Sequence, residues 1–333
     1  MMQFYLMRES LRDFYGRHAL YLTPIIRFVT ALTALLLMDW NMGYAGSLGS
    51  IPVVLGVALI CGFLPWGGMT LALSVCLLYQ FLSVSMEVFA IGLIVFFFIW
   101  IMHMVLLPEG RFSVVLIPIL FCFDIPYVVP VLVALGGTLT GIAPVSFGVV
   151  VYYLIRTVID SAPVLTSGGT LNILQRFLQV LTALRDNKVM YVMLAAFAAI
   201  YLIVYLIRQM SVDYSRTIGI VTGTVTGALV LLLGELALQI DFRTLSITSI
   251  VVGTLLSGVI AVLLDFFIFA VDYNRTEYVQ FEDDDYYYYV KAVPKIAVTA
   301  PDKQVKKINT RTAKRPQPEH TGRREVPTDE FWK

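Results

Sequence analysis

A carboxylate lies inside one of the long apolar runs of this chain, at Asp124 within the stretch from Phe121 to Pro130 (FCFDIPYVVP). Ionisable groups at membrane depth cost at least about 2.5–3.5 kcal/mol on insertion scales, so each needs a physical reason. Here the neighbours supply one. Pro126 and Pro130 each remove a backbone N–H and crowd the carbonyl four residues back, so a helix through this run must kink or break. Carbonyls freed in that way are tolerated only against protein or a wet cavity. Transporters build ion and solute sites from such broken helices. The expectation is a polar site near Asp124, with Thr140 and Ser146 as neighbours beyond the irregular Gly136-Gly137 stretch. The plainer alternative is a proline-kinked helix in which Asp124 caps the second half.

Two further carboxylates end stripes of small residues. Gly219, Gly223 and Gly227 recur every four positions, and the same stripe runs through Leu231 to Glu235. Ser249, Gly253, Ser257 and Ala261 form a second stripe that ends at Asp265. Small residues at this spacing let helix backbones approach closely. The two stripes are expected to pack on each other or on a second subunit. Arg216, at the start of the first helix, is the expected ion-pair partner of Asp265. Glu235 is a candidate proton relay, against the simpler reading of both stripes as packing surfaces.

The C-terminal segment has a different chemistry. Between Glu277 and Pro294, β-forming residues flank an acidic cluster, Glu282, Asp283, Asp284 and Asp285, which runs into Tyr286, Tyr287, Tyr288 and Tyr289. This pattern predicts a β-hairpin with its turn at the acids. A lone two-stranded hairpin is marginal in water. A partner is therefore expected for 277–300: the body, a second copy or the sheet edge of another protein. The tyrosines also suit the headgroup level. Residues 301–333 lack apolar periodicity and read as a disordered basic tail. Eight Lys and Arg stand against one Glu between Lys303 and Arg324, a composition suited to anionic lipid. Aromatics are not interleaved with the basic run, so nucleic acid is not expected.

Other chemistries lack their signatures. There is no phosphate-binding G-x-x-x-x-G-K-[ST] run, and no G-x-S-x-G, H-E-x-x-H or C-x-x-C pattern. Cys61, Cys76 and Cys122 each sit in an apolar run without a Cys or His at ligand spacing. The expectation is therefore no enzyme, no cofactor and no metal.

The elements that must position these groups follow from the apolar runs. The 333 residues are 58% hydrophobic and only 14% charged, where a soluble domain carries about 25% charged residues. Half of the Lys and Arg fall in 273–333. The division is a polytopic membrane domain over 1–272, a juxtamembrane hairpin segment over 273–300 and the tail over 301–333. Apolar segments suited to helices run over 21–39, 50–64, 66–84, 87–107, 112–135, 138–159, 188–208, 216–237 and 245–271. Runs such as Val88–Leu107 are apolar on every face, which excludes an alternating β-barrel. Segment 170–186 is amphipathic instead. Leu171, Leu174, Phe177, Leu178, Leu181 and Leu184 share one face, which suits a helix lying in the headgroup layer or packed over the bundle.

Arg8, Arg12 and Arg17 precede the first apolar run, which reads as an uncleaved signal anchor. They and the basic tail place both termini in the cytoplasm by the positive-inside rule. Both ends inside requires an even number of crossings. Eight crossings follow if either 50–64 or 112–135 is broken or re-entrant, and the alternative is seven crossings with the N-terminus outside. The fold class is thus an all-α integral membrane bundle with a short β-hairpin and a disordered cytoplasmic tail.

The tail segment from Val279 to Lys295 (VQFEDDDYYYYVKAVPK) resembles a motif of uncharacterised multi-span membrane proteins of clostridial Gram-positive bacteria, loosely labelled permeases. The resemblance implies a bacterial plasma membrane and carries over no functional residue. The expected function is a permease-like component that moves or binds a small solute or ion, with partner subunits. The alternative is a non-transporting scaffold that recruits a cytoplasmic protein through the tail.

Overall fold

In lipid, a chain of long apolar runs can satisfy its own N–H and C=O groups only by forming helices or a closed barrel, and here it forms helices. The computed structural model describes residues 2–46, 49–105, 110–166, 172–239, 247–269, 277–282 and 287–292. The helices are α1 (Met2–Asn41), α2 (Ile51–Phe63), α3 (Trp66–Val84), α4 (Met86–Val105), α5 (Ser113–Phe121), α6 (Val128–Gly136), α7 (Ile142–Thr166), α8 (Ile173–Arg185), α9 (Lys188–Gln209), α10 (Ser215–Leu238) and α11 (Ile247–Phe269). Among the described residues, six regions are long and apolar enough to cross a membrane: Met7–Asn41, Trp66–Val84, Leu139–Leu165, Lys188–Gln209, Ser215–Leu238 and Ile247–Ile268. Shorter apolar stretches occupy Ile51–Phe63 and Met86–Met102. α1 bends at His18, whose backbone leaves helical geometry, so its charged beginning and its apolar length are separate pieces.

The 112–135 segment breaks as its prolines require. α5 stops in a turn where Asp124 takes a left-handed backbone, φ 58°. The Ile125 N–H reaches back to the Leu120 carbonyl at 3.1 Å, and the Asp124 N–H to Phe121 at 3.3 Å. That pair of bonds is the Schellman stop, with Asp124 at the position glycine usually takes and a proline two residues on. Asp is among the few residues that tolerate this region. α6 then starts with Pro130 in its first turn, where a missing N–H costs little. Its N-cap is Tyr127, with no side-chain cap, so the reading of Asp124 as the cap is corrected: Asp124 ends α5 and does not begin α6.

The two short helices fold back on each other as a hairpin. Gly110, just before α5, packs against Val133 near the end of α6 and Pro144 in α7. Segment 112–135 therefore bends back on itself between α5 and α6. α5 lies tightly on α7, where Gly148 leaves room for Ile117 and the Ser113 carbonyl. Phe121 stacks on Tyr152 at 4.0 Å between ring centres and faces Phe197 of α9 at 5.9 Å.

The stripe on α10 packs on α9, not on the stripe of α11. Gly219, Gly223, Gly227, Leu231 and Glu235 are all buried, and the three glycines face Val204, Ile207 and Ile200. Gly253 of α11 instead accommodates the Asp124 carbonyl and the Tyr127 ring. The expected mutual packing of Gly219, Gly223 and Gly227 with Gly253 is thereby corrected. α10 and α11 are still neighbours, touching elsewhere through Gly258 and Thr224. The glycines go where bulky β-branched side chains of α9 and the hairpin tip need space.

α8 fills the place of the amphipathic segment. Asn172 and Gln175 form a capping box at its start. It buries Val180, with Phe177 and Leu184 packed against the same core, while Ile173, Leu174, Leu178 and Leu181 remain exposed. Packing over the bundle thus uses one edge of its apolar face. Strands β1 (Glu277–Glu282) and β2 (Tyr287–Ala292) pair antiparallel, with Phe281 opposite Tyr288. Asp283, Asp284, Asp285 and Tyr286 lie outside the described residues, as does the basic tail 301–333.

A Cβ on Gly227 would fall 2.5 Å from Ile200 Cδ1. Gly227→Val is expected to lower the unfolding midpoint in detergent by an amount equivalent to about 1–3 kcal/mol. Gly56→Ala, in α2 with open space around it, is expected to hold or raise stability by up to about 1 kcal/mol.

Candidate functional site

The hairpin is held at its base by side chains of α9. The last carbonyls of a helix have no intrahelical partner, and at membrane depth they must find one. Arg208 Nη1 donates to the Ala134 carbonyl at 2.9 Å and to the Gly137 carbonyl at 3.1 Å. The Tyr201 hydroxyl donates to the Thr138 carbonyl at 2.5 Å. Arg208 also places its charge where the dipole of α6 favours a cation. Gly141 has no side chain to obstruct the Tyr201 hydroxyl.

Along α5, from Val114 to Cys122 beyond its end, a cavity of about 490 Å³ opens between α1, α3, α5 and α7, with Phe96 of α4 also on its wall. Its walls are mostly apolar. Polar side chains enter from Asn41, Thr70, Ser74, Cys122, Tyr152 and Arg156. Thr70 and Ser74 turn their hydroxyls onto carbonyls of their own helix, at 2.8 and 2.7 Å, and so present methyl and methylene surface to the space. At the rim Asn41 Nδ2 donates to the Leu37 carbonyl at 2.8 Å and Cys122 Sγ to the Pro118 carbonyl at 3.5 Å. Asp124 is exposed beside this rim, within electrostatic reach of Tyr152, as are Arg156 and Asp160.

The sequence-derived constellation therefore separates. Asp124 and Pro126 belong to the tip, and buried Pro130 lies in the first turn of α6. Thr140 lies in the short turn Leu139–Gly141 at the base, where its hydroxyl meets Thr138 at 2.9 Å. Ser146 donates to the Ile142 carbonyl of its own helix at 2.9 Å. Neither neighbours Asp124, because α6 runs its full length between them. Within electrostatic reach of Asp124 lie instead Tyr127 and Tyr152, and Arg156 and Asp160 reach Tyr152 from further along α7. An Arg and an Asp four residues apart in the 138–159 run and its flank were a usable signal. Nothing in the sequence pointed to Arg208 and Tyr201.

Arg216 and Asp265 do come within electrostatic reach of each other across α10 and α11. Asp265 keeps its Oδ1 buried without a hydrogen-bond partner. Glu235 is 2% exposed, and among the described residues neither carboxyl oxygen has a hydrogen-bond partner. Ser257 Oγ is also buried and unpartnered. Antiparallel packing spreads these three groups along the α10–α11 pair and does not collect them at one point. Of the acidic and tyrosine cluster, Tyr288 is described at side-chain level and is exposed.

Arg208→Gln is expected to lose charge-assisted bonds, each worth about 1.5–3 kcal/mol, seen as a lower unfolding midpoint and faster amide exchange over 128–137. Glu235→Leu is expected to be neutral or stabilising, because an apolar replacement removes two unpartnered polar atoms from the interior. A clear loss of stability in that variant, with Glu235→Gln unaffected, would mean that the carboxyl holds a partner.

No family model, curated protein or solved structure matches this chain.

Proposed function

We propose that this chain is a permease-like component of a bacterial plasma membrane that binds a small amphipathic solute beside the tip of the broken hairpin. The observation that carries the reading is the cavity of about 490 Å³ that ends at Cys122, two residues from Asp124. That volume suits a drug-sized ligand, and an apolar wall with a few polar groups gathered at one end is how such sites set orientation. Asn41, Tyr152 and Arg156 supply hydrogen bonds and a positive charge for the polar end of the solute. The role requires no catalytic group.

On this reading α1, α2, α3, α4, α7, α9, α10 and α11 make eight crossings, and α5 with α6 is a re-entrant hairpin. Both termini then face the cytoplasm, in line with Arg8, Arg12, Arg17 and the basic tail. The 13 residues of α2 span only about 20 Å at the helical rise, so the bilayer thins locally or its flanks complete the crossing. The hairpin forms one wall of the cavity and is the element most suited to move. The tail's likeness to clostridial proteins labelled permeases agrees with this membrane.

A second reading, a scaffold that recruits a cytoplasmic protein through 277–300, rests on β2. Tyr288 and Val290 are 47% and 43% exposed on that strand, and an uncovered pair of strands suits edge pairing.

The test is binding of a neutral, environment-sensitive fluorophore to the protein in lipid nanodiscs. Ser74→Trp fills the cavity and is expected to weaken binding at least about tenfold. Asp124→Gly keeps the left-handed turn while removing the carboxylate, so it separates the chemical role of Asp124 from its structural one. It is expected to preserve thermal stability and to slow flux of the same fluorophore in proteoliposomes. Unchanged binding in Ser74→Trp sinks the cavity reading. Loss of a co-purifying protein on deletion of 277–300, with no flux under any gradient, would favour the scaffold.

A further inference from the structure

The beginning of α1 has two faces of opposite character. Met7, Leu11 and Phe14 recur at helical spacing with Tyr15 beside them, and all four are 45–53% exposed. Glu9, Asp13 and Arg17 follow one another every four residues, fall on the other side and are also exposed. This is an amphipathic helix. It precedes a stretch, 19–41, that rises about 34 Å by itself, enough to cross a hydrocarbon core of about 30 Å. The charged beginning therefore lies outside that core.

Two tethers fix where it lies. Arg27 Nη1 donates to the Leu64 carbonyl at 3.1 Å, just past the end of α2. Arg8, only 5% exposed, donates from Nε to the Phe267 carbonyl at 3.4 Å, in the last turn of α11. Carbonyls in a last turn lack an intrahelical donor and favour a cation. The two arginines are nineteen positions apart, about 28 Å along a helix, yet both meet the same end of the bundle. Arg27 shares a recess with Gly110, and Gly110 packs on Val133 and Pro144. Arg208 holds the Ala134 and Gly137 carbonyls beside them. α10 starts close by, with Gly219 against Val204 and Ile207, and its Arg216 reaches Asp265, two residues from Phe267. The stretch between Arg8 and Arg27 therefore runs across that end of the bundle and not straight out, and the bend at His18 lies within it.

We propose that residues 7–17 form an interfacial helix that lies in the lipid headgroup layer, with Met7, Leu11, Phe14 and Tyr15 inserted against the acyl chains and Glu9, Asp13 and Arg17 toward water. Lipid is the occupant of the apolar stripe because the stripe is continuous with the outer side of the spanning part. Tyr21, Ile25, Val29 and Leu36 follow at the same helical spacing and are 48–69% exposed. Helices of this kind bury their apolar face about 5–10 Å into the boundary. Arg8 sets the rotation of the helix, because the side that it pins to α11 decides which way the stripe points. The inference rests on the chain being a membrane protein and not on the solute-binding reading.

The experiment uses the full chain in lipid nanodiscs, with Cys61, Cys76 and Cys122 replaced by alanine and a nitroxide attached through Leu11→Cys or Asp13→Cys. Power saturation with oxygen and a water-soluble nickel chelate is expected to place the label at 11 about 5–10 Å below the headgroup boundary and the label at 13 in water. A label at 11 as open to the nickel chelate as the one at 13 overturns the proposal. So does a label at 11 shielded from both reagents, which makes the stripe a protein interface; broadening between labels then identifies a second copy. If the alanine background does not fold, hydroxyl-radical footprinting of the wild type in nanodiscs serves instead. Met7 is expected to oxidise at least about fivefold more slowly than Met210, which is 57% exposed between α9 and α10. Equal rates at the two methionines overturn the proposal.

Discussion

Backbone groups released in a low-dielectric interior must be satisfied, and the α5–α6 hairpin is built around that requirement. Its tip closes through the Schellman bonds of Leu120 and Phe121. Its base depends on donors from elsewhere, Arg208 and Tyr201 on α9. An unsatisfied carbonyl in hydrocarbon costs several kcal/mol, so a hairpin without α9 beside it would not hold this shape. The remaining packing follows from this. α9 must lie against the end of α6, and α10 must then lie close against α9.

That close approach explains where the glycines fall. Ile200 and Val204 point from α9 toward α10, and Gly223 and Gly227 leave them room. With apolar side chains and lipid tails equally greasy, helix association depends on close packing more than on hydrophobic burial. Gly253 and Gly148 serve the same end against the hairpin itself, one beneath the Asp124 carbonyl and one beneath Ile117. The small residues are thus distributed around two clients, α9 and the hairpin.

The arrangement leaves cavities on the side of the hairpin away from α9. There α1 and α3 approach α5 and α7 without filling the space, and polar groups collect where α5 ends. The same hairpin carries Arg111 at its beginning, so its two ends take part in two chemically different places. One is an apolar space with a polar rim. The other is a smaller recess lined by Arg27, Trp66 and Arg111.

Much of this architecture is legible in the sequence. Apolar run length located most of the helices to within a few residues, because spanning lipid leaves few alternatives, but it missed the polar extensions by which α1 begins at Met2 and α7 runs on to Thr166. Pro126 marked the break, since a proline removes an N–H and crowds the carbonyl four residues back, yet Pro24, Pro118 and Pro163 lie inside helices, so prolines alone do not say where a helix stops. The amphipathic period marked α8. What the sequence could not decide is which partner each face meets. The glycine stripe on α10 is equally compatible with α9, α11 or another subunit, because spacing encodes closeness and not identity. Thr140 and Ser146 are near Asp124 along the chain yet belong to the other end of the hairpin, because α6 intervenes as a rigid rod. Arg208 looks like an ordinary interfacial arginine until folding brings the Ala134 and Gly137 carbonyls to it from more than seventy positions away. Local chemistry determined the elements, and long-range packing, through the need to satisfy every freed backbone group, decided which residues meet.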